Sequence, residues 1–194
     1  MSDGGGDNTS VAGRLSRQLE NHIADAWRAI DAGSDQPIPA RYRIPHLSFQ
    51  MLERRPSETT RRMLRHLAAH WAPLPIQLGG LGVFKSPRPV LYIAVVRSPR
   101  LEAFHREVMF KLVEAGHSLH PLYRPERWVP HVSIAFGSPG VSGWERVLDQ
   151  QAEGIFHRRA RIESLLALSP DQGCPLMFEF PLSAGEHGAR DDGR

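Results

Sequence analysis

One short pattern occurs twice in this sequence, as IPHLSF at residues 44–49 and as VPHVSI at residues 129–134. A proline keeps the residue before it out of the helical region and is tolerated at the first position of a strand. Side chains alternate between the two faces of a strand, so the histidine and serine of each copy share one face, about 7 Å apart. Each copy therefore predicts a strand that presents an imidazole and a hydroxyl on one face and buries apolar residues on the other. In the second copy we expect Val132, Ile134 and Phe136 to share the buried face.

The repetition distinguishes this pattern from chance. The 194 residues include 10 histidines and 18 serines and threonines, so about one His-x-Ser/Thr is expected at random, and a single copy would favour an ordinary core or surface histidine. When the proline and the alternating apolar residues are also required, the number of matches expected by chance falls to about 0.01 per chain. None of the other eight histidines is followed two residues later by Ser or Thr. We therefore interpret His46, Ser48, His131 and Ser133 as catalytic residues.

The elements around the first copy are predicted by apolar spacing and by capping residues. A helix covers residues 15–30, where apolar side chains recur every three or four positions, and Ser57 is placed to cap a second helix. The motif strand is expected at residues 44–50, and two further strands at residues 76–84 and 90–96.

The same order returns around the second copy. A helix from Leu101 ends near Gly116, and a capping box of Ser142 and Glu145 begins another. Strands are expected at residues 129–136, 159–168 and 176–182. The repeated order predicts an α+β fold with a bilobal, pseudo-two-fold duplication. Each lobe would be a mostly antiparallel sheet with helices on its outer face, and a central active-site groove would lie between the lobes.

The two ends of the chain are polar and rich in glycine. They predict a disordered tail at residues 1–13, a single bilobal domain at 14–182 and a second disordered tail at 183–194. No strand is visible before Leu15.

Composition excludes several classes of protein. Hydrophobic residues make up 41% of the chain and charged residues 23%, as in ordinary globular proteins. The longest apolar run, Val90–Val96, is far shorter than the ~18 residues of a membrane span, and the N-terminus does not resemble a secretory signal. The single cysteine, Cys174, cannot form an internal disulfide. These features predict a cytoplasmic monomer with no membrane partner.

The net charge is only +3, which does not by itself indicate nucleic-acid binding. Arginine dominates the basic residues, since Lys85 and Lys111 are the only lysines. This bias is a weak indication of phosphate binding.

The paired motifs resemble the two His-x-Ser/Thr signatures of the 2H phosphoesterase superfamily, in particular its 2′-5′ RNA ligase and RNA 2′,3′-cyclic phosphodiesterase branch. The similarity extends to GLGVF (80–84) and PVLYI (89–93) between the motifs, and to ESL (163–165) and FEFPL (178–182) near the end. The sequence departs from the family in two places. Family members usually begin with a strand before the first helix, and their first motif is often followed by an apolar-Gly stop where this chain has QMLE (50–53).

The resemblance implies hydrolysis of 2′,3′-cyclic phosphate ends of RNA or nucleotides, with 2′-5′ RNA ligation as the reverse activity. One histidine would act as general base and the other as general acid, with the assignment left open, and each serine would donate a hydrogen bond to the phosphoryl group. No cofactor and no metal are expected. His117 and His120 lie three residues apart, but we interpret them as surface histidines.

Four residues near the motifs are candidate substrate contacts. An arginine could bind a flanking phosphate and an aromatic ring could stack on a base. The candidates are Arg43, Phe84, Arg127 and Trp128. The alternatives are ordinary surface charge for the two arginines and core packing for the two aromatic residues.

Three other functions remain open at this point. The same fold could act on another cyclic nucleotide, an oligonucleotide 3′ end or an ADP-ribose cyclic phosphate. The chain could instead be a non-catalytic module that binds RNA ends. A structural protein with no site would require the motif pair to be a coincidence.

Overall fold

A computed structural model of the chain describes residues 8–31, 44–137, 144, 159–169 and 176–184. The strands in these ranges are β1 (Thr9–Leu15), β2 (His46–Leu52), β3 (Leu74–Phe84), β4 (Val90–Val95), β5 (His131–Phe136), β6 (Arg159–Leu168) and β7 (Leu176–Pro181). The helices are α1 (Arg17–Asp31), α2 (Glu58–Ala69) and α3 (Pro99–Glu114), and a short 3₁₀ helix covers Pro121–Tyr123.

The strands pair antiparallel in the spatial order β2-β1-β6-β3-β4-β5. β6 pairs with β3 through its first residues and with β7 through its later ones. The two motif strands, β2 and β5, stand at opposite ends of this path and nevertheless contact each other. The sheet therefore curves until its ends meet, and this curvature brings the two motifs together. The predicted α+β class with an antiparallel sheet is confirmed.

The N-terminal boundary predicted at residue 14 is wrong, because Thr9–Gly13 belong to β1. This strand is interior, with β2 on one side and β6 on the other. Glycine is often found in loops, but Gly13 lies inside β1. A side chain is excluded there because a Cβ would lie 2.5 Å from Ile162 Cγ2. The strand also supplies the element that members of the resembled family usually place before the first helix.

The start of α2 and the end of α3 agree with the predicted capping residues, but the first helix starts later than predicted, because Leu15 belongs to β1 and α1 begins at Arg17. Ser57 Oγ accepts a hydrogen bond from the Thr60 amide at 3.2 Å, and α3 ends before Gly116, whose φ is +78°. Trp144 is buried, but the remainder of the predicted helix around it lies outside the described residues. Among the described residues, no helix is long and apolar enough to cross a bilayer.

The prediction of a disordered tail from residue 183 is wrong for Ser183 and Ala184. The amides of Ser183 and Ala184 donate to the carbonyls of Ala68 and Trp71, at 3.2 and 3.1 Å. These two residues are therefore held against the end of α2. The rest of the tail, like residues 1–7, lies outside the described residues.

Candidate active site

The two motifs meet at one cavity of about 480 Å³. Its wall includes His46, Ser48, His131 and Ser133, so the structure brings all four predicted residues together. The apolar residues between and after them, namely Leu47, Phe49, Val132 and Ile134, are fully buried on the opposite face. The alternation predicted for both motif strands is confirmed over these positions.

Each motif strand carries a β-bulge directly after its serine. Phe49 is the extra residue of β2 opposite Val11 and Ala12, and Ile134 is the extra residue of β5 opposite Leu91 and Tyr92. A bulge shifts the following side chains with respect to simple alternation.

The bulges place equivalent side chains at the cavity. Met51 and Phe136, each three residues after a motif serine, both line it. The prediction that Phe136 shares the buried face of Val132 is therefore wrong, because the bulge intervenes. The matching bulges support the predicted duplication, which stays a prediction.

Both histidines are held by the same local contact. His46 Nδ1 lies 2.6 Å from the Ile44 carbonyl oxygen, and His131 Nδ1 lies 2.7 Å from the Val129 carbonyl oxygen. A carbonyl can only accept, so each Nδ1 carries the proton and donates it. This contact fixes the orientation of each ring and leaves Nε2 as the nitrogen able to exchange a proton in the cavity.

Burial lowers the pKa of both imidazoles below 6.5, because desolvation disfavours the charged form. The hydrogen bond to the carbonyl opposes this effect in each ring. Repulsion by His131 lowers the pKa of His46 further, so the two rings are close enough to influence each other's charge. Once one of the two rings is protonated, protonation of the other is therefore less favourable.

The two serines differ in their surroundings. Ser48 Oγ lies 2.9 Å from Ser10 Oγ of β1. Tyr123 lies nearby: burial raises the pKa of its phenol, and the Ser48 side chain partly opposes that rise. No such pair of hydroxyls flanks Ser133 within the part of the chain that the structure describes.

His131 rests against two aromatic rings. Phe84 and Tyr92 stack on each other with centroids 4.2 Å apart, and the His131 ring lies 4.7 Å from Phe84 and 5.3 Å from Tyr92. The Tyr92 ring lies directly over Gly82, where a Cβ would come within 2.4 Å of it. Glycine at this position therefore allows the aromatic pair to support the histidine.

Three of the four candidate substrate contacts lie at the cavity, and Arg43 lies outside the described residues. Arg127 and Phe84 line the wall, with Arg127 exposed at the rim. Trp128 also borders the cavity but is only 2% exposed. Its substrate-binding role stays a prediction, and its burial favours the alternative of core packing.

Trp128 and His105 connect the cavity wall to the core. The Trp128 indole donates to the Ser48 carbonyl at 3.0 Å and stacks on His105 with centroids 3.8 Å apart. His105 Nε2 lies 3.1 Å from the Phe49 carbonyl oxygen, and the ring also bonds the Tyr123 backbone. Trp128 thus ties the segment before β5 to β2, and His105 ties α3 to β2.

Sequence reasoning missed Ser10, Tyr92 and Tyr123. Ser10 lies in the polar segment that the sequence predicts to be a tail, and single tyrosines outside a motif give no signal. Tyr92 faces the same side of the sheet as Ser133, its partner in the strand register, so the pairing of β4 with β5 would have identified it.

The histidines considered as metal ligands have other partners. His117 is buried, contrary to the prediction of a surface residue, and its Nε2 lies 2.9 Å from Thr60 Oγ1. His120 Nδ1 accepts from the Leu122 amide at 3.3 Å. Over the described ranges, no three His, Cys, Asp or Glu side chains are grouped so as to hold a metal ion.

Comparison with known proteins agrees with this architecture. The family model of the 2′-5′ RNA ligase superfamily matches residues 15–172. The structure of TT0787 from Thermus thermophilus aligns with a TM-score of 0.61 and 19% identity, covering 93% of this chain and 100% of that one. E. coli LigT complexed with 3′-AMP aligns with a TM-score of 0.57 and 14% identity, covering 92% and 98%. None of the curated proteins compared with the chain matches it in sequence.

Proposed function

Because this chain belongs to the 2′-5′ RNA ligase superfamily, we propose that it hydrolyses 2′,3′-cyclic phosphate ends of RNA or nucleotides by general acid and base catalysis. The observation that carries the proposal is the pairing of His46 and His131 in one cavity, each with Nδ1 bound to a backbone carbonyl. Two imidazoles held in this way can exchange protons on opposite sides of a phosphorus atom.

The reaction adds water across one P–O bond. One histidine, neutral at Nε2, removes a proton from water as the water oxygen bonds to phosphorus. The other, protonated at Nε2, donates its proton to the ribose oxygen as the bond between that oxygen and phosphorus breaks. Each proton transfer contributes roughly 10²–10⁴-fold in rate. After product release the two rings restore their protonation through solvent.

The serines stabilise the charge that builds up on phosphorus. Ser48 and Ser133 lie on the same strand faces as the histidines, so their hydroxyls can donate to the two non-bridging oxygens. Hydrogen bonds that strengthen as negative charge develops contribute more to the transition state than to the ground state. The mechanism uses no metal ion and no cofactor.

The remaining wall of the cavity suits a nucleoside. Phe84 and Phe136 offer apolar ring surface, and Arg127 supplies a positive charge at the rim. The E. coli LigT structure with 3′-AMP is a case of the same fold with a nucleoside monophosphate, which supports a nucleotide as the ligand here. Ligation of a 2′,3′-cyclic phosphate end to a 5′-hydroxyl is the same chemistry with a ribose hydroxyl in place of water.

The test is turnover of cytidine 2′,3′-cyclic phosphate and of an RNA ending in a cyclic phosphate. We expect the purified protein to open both and His46→Ala or His131→Ala to lose at least 10²-fold in kcat. His66→Ala, on the exposed face of α2, is the matched control and should keep full activity. Full turnover by the His46→Ala, His131→Ala double variant would reject the proposal. Binding without turnover by the unaltered protein would favour the RNA-end-binding alternative.

A further inference from the structure

Arg97 lies in the link between β4 and α3, and all three nitrogens of its guanidinium are hydrogen-bonded. Nη1 donates to the Trp128 carbonyl at 3.2 Å, and Nη2 donates to the Pro125 carbonyl at 2.8 Å. Nε donates to a carboxylate oxygen of Glu102, on α3, at 2.8 Å. The arginine therefore joins the start of α3 to residues 125–129, the segment before the second motif strand.

Residues 125–129 come before the regular pairing of β5 with β4, which begins at His131. The Pro125 and Trp128 carbonyls therefore lie outside that ladder, and the Arg97 side chain donates to both. A guanidinium presents its N–H groups in a rigid planar fork. The arginine thus fixes the two carbonyls relative to each other and relative to α3.

The segment held by Arg97 supplies the contact that orients His131. The Val129 carbonyl, one residue after Trp128, accepts the His131 Nδ1 proton at 2.7 Å. Arg127, Trp128 and Val129 also line the cavity, whereas Arg97 does not. A shift of this segment moves the acceptor, so the ring loses the hydrogen bond that decides which nitrogen faces the cavity.

We propose that Arg97 is a positioning residue for His131, which fixes residues 125–129 so that Nδ1 stays bound to the backbone and Nε2 stays available in the cavity. This inference rests on the proposed function of the cavity. It applies to one histidine only, because His46 Nδ1 is bound by the Ile44 carbonyl, in a different part of the chain. Loss of the Arg97 contacts should therefore disturb His131 and leave His46 unchanged.

The first test compares Arg97→Gln with Arg106→Gln in the turnover of cytidine 2′,3′-cyclic phosphate. Both arginines pair with Glu102 and both repel a positive charge on His105, so the two variants lose similar electrostatic interactions. Arg97 in addition donates to the two carbonyls. We expect Arg97→Gln to lower kcat about 10-fold, since a misplaced catalytic group costs up to about 10²-fold. Arg106→Gln should keep the kcat of the unaltered protein.

Arg97→Lys separates the shape of the guanidinium from its charge. Lysine keeps the positive charge but has a single nitrogen, which does not reproduce the fork. We expect this variant to lose kcat as Arg97→Gln does. Full kcat in Arg97→Lys would show that charge alone matters, and it would overturn the inference. Should Arg97→Gln fail to fold, Arg97→Lys is the variant for both tests.

The second test measures the protonation of each ring nitrogen and needs no turnover. The ¹⁵N NMR shifts of an imidazole distinguish the nitrogen that carries a proton from the one that does not. At about pH 8 both rings are neutral, since burial lowers the pKa of each. In the unaltered protein we expect both to carry the proton on Nδ1. In Arg97→Gln we expect His131 to show both tautomers, while His46 keeps its proton on Nδ1.

Unchanged His131 shifts in Arg97→Gln would overturn the inference, whatever the kcat of that variant. So would equal losses of kcat in Arg97→Gln and Arg106→Gln. Tautomer changes of the same size in both histidines would indicate a general loosening of the fold, and they too would contradict a role specific to His131. Failure of the proposed function would be seen separately, as no turnover by the unaltered protein, and the NMR comparison would then still test the role of Arg97.

Discussion

At the scale of single residues, the proposed mechanism depends on the protonation of two half-buried imidazoles. The proposed mechanism requires one of His46 and His131 to be neutral while the other is protonated. Burial lowers the pKa of each ring, so each loses its proton at a lower pH than a solvent-exposed histidine would. The singly protonated pair is therefore most abundant at mildly acidic pH.

We predict a bell-shaped dependence of kcat/KM on pH, with its maximum below about 6.5. The acidic limb reports protonation of the base, and the basic limb reports loss of the proton from the acid. The measurement is initial rate at low substrate concentration between pH 4.5 and 9, with and without EDTA. EDTA should have no effect. A maximum above pH 7.5, or activity that EDTA removes, would contradict the assignment.

The candidate catalytic residues were predictable from sequence because they lie in a motif that occurs twice. Their neighbours were not, since Tyr92 and Tyr123 reach the site only through strand pairing and through the 3₁₀ turn. Arg127 lies at the cavity as predicted, but Trp128 shows why proximity in sequence is a weak guide. Three residues before a histidine, it borders the cavity but is almost completely buried.

At the scale of elements, the packing of the strands around the cavity depends on two glycines, each of which lies against a side chain of a neighbouring strand. Gly13 allows β1 to pack against Ile162, and Gly82 allows the Tyr92 ring to lie across β3. Neither glycine has the positive φ that only glycine favours, so its role is the absence of a side chain. The sequence predicts β3 in spite of its glycines, but β1 begins within a polar, glycine-rich N-terminus whose composition is typical of a tail.

We predict that Gly82→Ala lowers activity about 10-fold and the free energy of unfolding by about 1–3 kcal/mol. The new Cβ would overlap the Tyr92 ring, and displacing that ring disturbs the Phe84 and His131 contacts. Activity and urea denaturation measure the two effects. Gly79→Ala on the same strand is the control, since its Cβ would meet Ala94 at an ordinary 3.5 Å. Equal behaviour of the two variants would show that the aromatic pair does not support the histidine.

The bulges are a second feature that sequence alone did not predict. Strict alternation places Phe136 on the buried face, yet Ile134 is extra in the ladder and Phe136 reaches the cavity. A bulge is decided by the pairing of two strands, so it has no signature within one of them. Both motif strands contain a β-bulge directly after the serine, and only the structure shows this.

At the scale of the whole molecule, the site exists because the ends of a curved sheet meet. β2 and β5 lie at opposite ends of the strand order, and Trp128 and His105 tie the segment before β5 to β2. The antiparallel α+β class followed from the order of elements. The curvature did not, since it depends on the twist accumulated over many strand pairs.

We predict that stability falls as pH is lowered, in part through His105. Burial lowers the pKa of His105 from 6.5 to about 4, so the unfolded chain binds a proton in this range that the folded chain does not. The neutral His105 ring contributes about 3 kcal/mol to the free energy of unfolding above pH 6.5, and this contribution is lost as the pH falls toward 4. Urea denaturation at pH 7.5, 5.5 and 4.5 measures the slope.

His105→Gln removes this titration and should flatten the decline in unfolding free energy between pH 6.5 and 4. His66→Gln, on an exposed histidine, should leave the decline as in the unaltered protein. Parallel curves for His105→Gln and the unaltered protein would show that the buried ring is not the source of the pH dependence.

A crystal structure of the protein with adenosine 3′-phosphate tests the central claim most directly. We predict that the phosphate lies between the two rings, with His46 Nε2 and His131 Nε2 each within hydrogen-bond reach, about 2.6–3.2 Å, of one of its oxygens. A phosphate bound by only one of the rings, or held elsewhere while the cavity is filled by the base, would contradict the account.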